Sequence, residues 1–298
     1  MERDDYLWLG GLALVWGASF FFIKVAVHEI PPITLVFGRT LASALALALY
    51  LKLTRVPLAQ VRSMWRPGLV IGVLNAALPY TLISSAEQYV DSSLAGILNA
   101  TAPLWTALLG PLFAESDRLH PRQGIGLAMG FVGTIILAHP TGSLLSSNFL
   151  GALAVIAATL AYAVATHYSR RHFQHVPPQV PAFLQCAFAA VILAPLLVFN
   201  HPTRMPSVAA ISAVLWLGVV ATGLAMVVSF RLVQRIGANR TIVVTYLIPP
   251  VALFWGVLLL HERPTLAAIG ALVLILGGVA FITRGGRVRR QPLAADAA

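Results

Sequence analysis

Along the chain, stretches of about 20 mostly apolar residues alternate with short polar breaks from one end to the other. A helix needs about 20 such residues to cross the hydrocarbon core of a bilayer. The pattern predicts ten helices, at approximately 7–27, 33–52, 68–88, 92–113, 123–139, 149–168, 180–199, 209–230, 241–260 and 265–283. Proline, glycine or charge marks nearly every connection: HEIPP, YVDSS, ESDRLHPRQ, HPTGSLLSSN, NHPTRMP and HERPT. These are helix-stop and turn signals. No connection is long enough to fold as a soluble domain. The first run is expected to stay as a span, because its flank MERDDY has more acid than base and no small-residue cleavage site follows.

Composition strengthens this picture. The chain is 58% hydrophobic and 10% charged, with a mean hydropathy of +0.84. A soluble domain carries about a quarter charged residues. The net charge of +10 invites a polyanionic partner, but the membrane explains where the basic residues fall. With the N-terminus in the cytoplasm, the inside connections hold Lys52, Arg55, Arg62, Arg66, Arg118, Arg122, Arg170, Arg171, Arg231, Arg235 and Arg240. The C-terminal tail adds Arg284, Arg287, Arg289 and Arg290, whereas the outside connections hold Arg204 and Arg263. This bias follows the positive-inside rule. It predicts an inner (cytoplasmic) membrane protein with both termini cytoplasmic and no nucleic-acid partner. Cys186 stands alone, which removes an intrachain disulfide and a CxxC site.

The two halves repeat. At an offset of about 146 residues, Pro31-Pro32 falls on Pro177-Pro178, IGV at 71–73 on LGV at 217–219, and Leu78 on Leu224. With one more residue of shift, Pro103 falls on Pro250 and Glu115 on Glu262, and Gly126 and Gly133 are spaced like Gly270 and Gly277. The expected organisation is a first repeat over 1–140, a second over 149–284 and a basic tail over 285–298. Each repeat holds an odd number of spans, so the second enters the membrane upside down. Inverted repeats of this kind build many secondary transporters, because two similar halves of opposite orientation can exchange shapes.

These residues resemble a known family, the drug/metabolite transporter superfamily of the EamA type. The resemblance is carried by WGASFFFIK at 16–24, the prolines at 31–32, Arg39 at the start of the second span, and the paired pattern of Pro103, Glu115, Gly126 and Gly133 with Pro250, Glu262, Gly270 and Gly277. It covers essentially the whole chain. It implies an all-α polytopic protein of ten transmembrane helices around a central cavity. The cargo implied is a small metabolite, often moved outward.

Charge inside an apolar run is costly, so Lys24 and Arg39 stand out. Arg39 lies about six residues into its span, roughly 9 Å below the outer edge. Two readings stand for each cation. Lys24 anchors a helix end and Arg39 bonds carbonyls of the Pro31-Pro32 turn or Glu87; or one of them meets a substrate carboxylate in an outer cavity. Glu115 and Glu262 close the fourth and ninth spans, as caps, as ion pairs or as alternating gates. Polar and aromatic residues within the spans are the cavity candidates: Asn75, Tyr80, Asn99, Trp105, Tyr162, Thr245 and Tyr246. An amide or hydroxyl in lipid must find a partner, as interhelical glue or as a ligand contact. Pro79, Pro103, Pro249 and Pro250 can break their helices and free carbonyls toward the cavity. Gly126, Gly130 and Gly133, with their counterparts from Gly270, suit close helix packing within the chain or across a dimer.

No Asp or Glu falls in the middle of a predicted span; Glu87 and Asp91 sit near an outer connection. That favours facilitated diffusion or exchange, or proton coupling through a residue such as His167, which is expected at an interface near a cytoplasmic helix end. Nucleotide, zincin and serine-hydrolase motifs are missing from the sequence, so an enzyme, a metal site and a cofactor are not expected. The function expected is a secondary transporter of small metabolites such as amino acids, exporting by alternating access, as a monomer or homodimer in the lipid bilayer. The alternative is a flippase for a lipid or lipid-linked intermediate, or a non-transporting membrane subunit.

Overall fold

Runs rich in Ala and Leu with few internal breakers give helices, and in a computed structural model of the chain every regular element among the described residues is helical. These are residues 3–113, 121–138, 147–236, 241 and 243–285. Helix α1 is Arg3–Val27 and α2 is Pro32–Leu53; a short α3, Leu58–Ser63, leads into α4, Trp65–Gly72. A π-helical turn, Val73–Ala77, joins α4 to α5, Leu78–Ala86. Next come α6, Ser92–Asn99, α7, Ala102–Phe113, α8, Pro121–Ala138, and α9, Ser147–His172. Helix α10, Gln179–Leu193, tightens into a 3-10 turn, Ala194–Val198. Helices α11, Val208–Leu215, and α12, Ala225–Ile236, are joined by a second π-helical turn, Trp216–Leu224. Helices α13, Val243–Leu260, and α14, Leu266–Gly285, complete the bundle.

Seven segments are long and apolar enough to cross a membrane, and three shorter apolar helices accompany them, at Gln123–Leu137, Val244–Leu260 and Leu266–Ile282. Leu45, Leu49, Leu112, Ile135, Val191 and Val273 stand at least half exposed on the outside of the bundle. An apolar exterior of this kind suits hydrocarbon as solvent. The chain is a multi-pass membrane protein. Residues 114–120 and 286–298, with Glu115 and nearly all of the expected basic tail, lie outside the described residues.

Two predicted helices are irregular near a proline, and a third, expected to break at its prolines, is not. The fourth is interrupted at Ala100-Thr101, between α6 and α7. Pro103 occupies the second position of α7, where its missing N–H leaves no bond unmade. The third swells into a π turn just before Pro79, which has no N–H to return to the carbonyl of Asn75. The ninth is continuous: α13 runs through Pro249 and Pro250, so the break expected there does not form. The second π turn has no proline. The offset that aligns the halves carries residues 73–77 onto 219–223, inside that second turn.

Small residues set the closest approaches. A Cβ on Gly126 would lie 2.6 Å from the Gly278 carbonyl oxygen, and one on Gly133 would lie 2.9 Å from the Ala271 carbonyl oxygen. The glycine stripe of α8 is therefore used within the chain, against α14. Gly218 allows the second π turn to touch α2, because a Cβ there would lie 2.7 Å from the Arg39 carbonyl oxygen. That contact fixes the height of Arg39 against the turn.

Candidate functional site

A cavity of about 220 Å³ lies at the centre of the bundle. Helix α1 lines it with Trp16, Ser19, Phe20 and Ile23, and α2 supplies Arg39. Asn75 reaches it from the first π turn, Tyr80 and Ile83 from α5, Asn99 from the end of α6, and Tyr162 from α9. The second half closes the far side with Ala221, Met226 and Ile248. Five of the nine cavity candidates thus meet in one space: Arg39, Asn75, Tyr80, Asn99 and Tyr162.

Arg39 is 7% exposed. It does not snorkel, and it bonds neither the Pro31-Pro32 turn nor Glu87. Its Nε donates to Thr222 Oγ1 at 3.1 Å, and its guanidinium carbon lies 4.0 Å from the centre of the Tyr80 ring. Thr222 can accept because the second π turn lets its own hydroxyl donate five residues back, to the Leu217 carbonyl at 2.9 Å. Nε is thus held by Thr222 and one face by the aromatic ring. Among the described residues, the two terminal nitrogens of the fork have no hydrogen-bond partner. A fork with free terminal nitrogens is suited to a carboxylate.

Two amides flank it. Asn75 Nδ2 donates to Gln185 Oε1 of α10 at 2.6 Å, and Gln185 Nε2 donates to Met226 Sδ at 3.2 Å. Asn75 is interhelical glue as well as lining. Asn99 differs: its amide oxygen is buried with no hydrogen-bond partner, next to the α6–α7 break. Aromatic faces complete the wall, with Tyr80 and Tyr162 edge to face at 6.4 Å. Trp16 donates its indole N–H to the Ala221 carbonyl at 3.0 Å, tying α1 to the second half.

The other four candidates are not among the lining residues. Lys24 Nζ donates to the carbonyls of Glu87, at 2.6 Å, and Val90, at 2.8 Å. Tyr246 donates its hydroxyl to the Val279 carbonyl at 3.0 Å. Trp105 packs edge to face on Phe131, 4.8 Å between centres. Thr245 lies beside Tyr246 on α13, away from the cavity wall. His167, expected at an interface, is buried at 7% exposure with its Nε2 2.9 Å from the Thr106 carbonyl oxygen.

One end of the bundle gathers carboxylates. Glu262, from the connection after α13, accepts from the Ser92 backbone N–H at 2.7 Å, the Ser92 hydroxyl at 2.8 Å and the Ser93 N–H at 3.0 Å. It caps α6 from the other half of the sequence, while the local cap residue Asp91 makes no side-chain cap bond. Gly256, lacking a Cβ, leaves the space for this carboxylate. Burial and the Glu262 charge push the Asp91 carboxyl above its usual value, against the pull of Lys24. Glu29 clasps in the opposite direction: it accepts from the Ser207 N–H at 2.6 Å and the Ser207 hydroxyl at 2.7 Å, where α11 begins. At the other end Asp5 pairs with Arg235, 3.0 Å apart.

Sequence reading missed Thr222, Gln185 and the depth of Glu87. The first two are ordinary polar residues whose role appears once a neighbouring helix supplies a partner. Glu87 had a signal, since Ala86 before it continues the apolar run.

Comparison with known proteins finds one transporter family over nearly the whole chain. The EamA-like transporter family matches residues 5–138 and again 149–284. The uncharacterized transporter YoaV of Bacillus subtilis (strain 168) is 26% identical over 273 residues, covering 89% of this chain and 92% of its own. The uncharacterized inner membrane transporter YedA of Escherichia coli (strain K12) is 28% identical, with 93% and 90% covered. A probable amino-acid metabolite efflux pump of Salmonella typhimurium is 26% identical, with 97% and 98% covered. One crystal structure matches with a TM-score of 0.67 at 22% identity, over 96% of this chain and 99% of that one, a likeness of fold. These names are those of transporters and not of enzymes. With the family matched in both halves, the chain belongs to the EamA-like transporter family.

Proposed function

We propose that the chain is a secondary carrier that exports small zwitterionic metabolites, amino acids or close relatives, by alternating access. The reading takes the ten apolar segments as ten spans, in two inverted repeats with both termini cytoplasmic. The halves rock about the central cavity, and the acidic end faces outward. One observation carries the substrate class: Arg39, whose terminal guanidinium nitrogens have no partner among the described residues, lines the same small cavity as Asn99, whose buried amide oxygen has none. A carboxylate suits the first and an ammonium the second, and an α-amino acid carries both. Trp16, Phe20, Tyr80 and Tyr162 supply flat apolar surface for a side chain and for the ammonium. The name of the Salmonella relative supports the same class. Glu262 and Glu29 act in this reading as clasps that hold the outer end shut.

The test is uptake of a labelled amino-acid panel into proteoliposomes by wild type and Arg39→Gln. Saturable uptake that Arg39→Gln abolishes for carboxylate-bearing substrates, in a protein that still folds, supports the assignment. Equal uptake by both proteins removes Arg39 from binding. No uptake of any amino acid by folded wild type overturns the substrate class.

A further inference from the structure

Glu87 is the most deeply sealed charged side chain among the described residues, at 0% exposed. It is the first residue beyond the apolar segment Trp65–Ala86. Neither carboxylate oxygen has a hydrogen-bond partner. The donors nearby are engaged elsewhere. Lys24 gives two of its protons to the backbone carbonyls of Glu87 and Val90, and Glu262 takes the N–H groups that open α6. Helix α9 closes the remaining side: a Cβ on Gly151 would lie 2.8 Å from Val90 Cγ1 and 3.4 Å from the Ala86 carbonyl oxygen. Thr81 and Ser84, six and three residues earlier on α5, also have buried oxygens without partners. These three side chains follow one another at three-residue spacing along α5 and its end, beside cavity residues Tyr80 and Ile83.

An ionised carboxylate sealed in this way would lack any compensating donor, which a low-dielectric interior penalises heavily; the neutral acid avoids most of that penalty. The charges acting on Glu87 come from three elements. Lys24 on α1 and Arg39 on α2 favour ionisation, and Glu262 from the α13–α14 connection opposes it. Asp91, on the connection to α6, shares Lys24 and Glu262 with this group. The part of α9 packed here, residues 147–158, holds no titratable side chain.

We propose that Glu87 is a proton-binding site: it holds one proton while the acidic end is closed and releases it when that end opens to water. Lys24, freed by the same opening from the 87 and 90 carbonyls, is then the counter-ion of the ionised form. Closure therefore takes up a proton, and acidification favours the closed form. If the chain is a carrier, transport is proton-linked; this last step rests on the function proposed above, and the proton site itself does not. Glu87 supplies the proton-carrying acid that the apolar runs alone do not reveal.

Infrared spectroscopy of purified protein in phosphatidylcholine vesicles at neutral pH tests the site without any substrate. The expected spectrum of wild type contains the carbonyl stretch of a protonated carboxyl that Glu87→Gln lacks. Glu87→Asp, a second variant that keeps an acid, shifts the band instead of deleting it. A neutral-pH spectrum of wild type with no protonated-carboxyl band overturns the proposal, even if neither variant folds. The coupling is read on whichever amino acid of the labelled panel wild type moves. An imposed pH gradient is expected to change net uptake by wild type, while Glu87→Gln keeps exchange and loses the gradient response. An equal gradient response in both proteins overturns the coupling. A panel that yields no movement, with the band present, sinks the carrier reading and leaves the proton site standing on the infrared result.

Discussion

The central cavity and the acidic end each receive one cation from the first two helices, and they use it in opposite ways. Lys24 is engaged with backbone carbonyls, which turns a charge into a bracket between α1 and the α5–α6 connection. Arg39 is held along one edge by Thr222 and on one face by Tyr80, and its terminal nitrogens keep no partner among the described residues. The chemistry of the two ions suits the split. An ammonium is a point charge that carbonyls can surround, whereas a guanidinium is a flat fork that can be fixed at one edge and still present another. The two cations differ in how much the fold takes up: Lys24 gives two of its three N–H groups to carbonyls, whereas Arg39 gives one of its five to Thr222 and lines the cavity with the rest of its fork unbonded.

The largest expected effect follows from Arg39. Arg39→Lys keeps the charge and removes the fork, the Thr222 bond and the stacking on Tyr80. A hydrogen bond to a charged group is worth about 1.5–3 kcal/mol, so carboxylate-bearing substrates should lose roughly tenfold to a hundredfold in apparent affinity. Proteoliposome uptake across substrate concentrations reads this. A variant with wild-type affinity would mean that Arg39 does in the cavity what Lys24 does at the end, which removes the contrast. Lys24→Met should instead leave affinity unchanged. It strands two carbonyls and should lower stability by about 1–3 kcal/mol, read by thermal unfolding in detergent.

Much of this arrangement was legible in the sequence, and its failures have physical causes. Length and hydropathy locate the apolar segments because the bilayer sets both. The family pattern was visible because P, E and G recur at matched positions in both halves. The cavity candidates rest on one rule, that polar groups in lipid must point inward. That rule cannot separate groups facing a cavity from groups satisfied across a helix pair. Tyr246 finds the Val279 carbonyl, and Trp105 packs its ring on Phe131 with its indole N–H buried and unpartnered, whereas Asn99 and Tyr162 line the cavity. The partner of Arg39 was out of reach of sequence reading. Thr222 accepts from it because a π turn re-aims its hydroxyl, and nothing in the local sequence near Thr222 marks that turn. The prolines misled once. Pro249 and Pro250 leave α13 continuous, while the true break, at Ala100-Thr101, precedes Pro103.

Two carboxylates at the acidic end make the second comparison. Glu262 is partly buried, reaches across the sequence to cap α6 with both oxygens, and sits against Gly256. Glu262→Gln keeps the shape, removes the charge and turns an N–H of the amide toward the N–H of Ser93. Charged caps are worth about 1–2 kcal/mol, and stability should fall by that order in thermal unfolding. If the cap also holds the end shut, exchange across the membrane should quicken in the same variant. Exchange that stays at the wild-type rate would leave Glu262 with a stabilising role alone.

Glu29 should give the smallest effect, because it is fully exposed and water competes for its partners. Its interest is the dependence on pH. The Ser207 backbone N–H is the main cause that lowers the Glu29 carboxyl below its usual value; the Ser207 hydroxyl adds to it, and His28 adds a smaller pull. A carboxylate whose folded value is depressed stabilises the fold above its ordinary titration range, and that contribution is lost as pH falls through the depressed value. The clasp between Glu29 and α11 should therefore be intact at neutral pH and open on acidification. Glu29→Gln should melt slightly below wild type at neutral pH, and the two should converge as the pH drops below the ordinary glutamate range. Acid thus loosens this exposed clasp, whereas it favours closure at Glu87, a few residues from the capped start of α6. A double variant, Glu29→Gln with Glu87→Gln, separates the opposing responses. If its acid response matches that of Glu29→Gln alone, Glu87 contributes nothing to the pH dependence of this end.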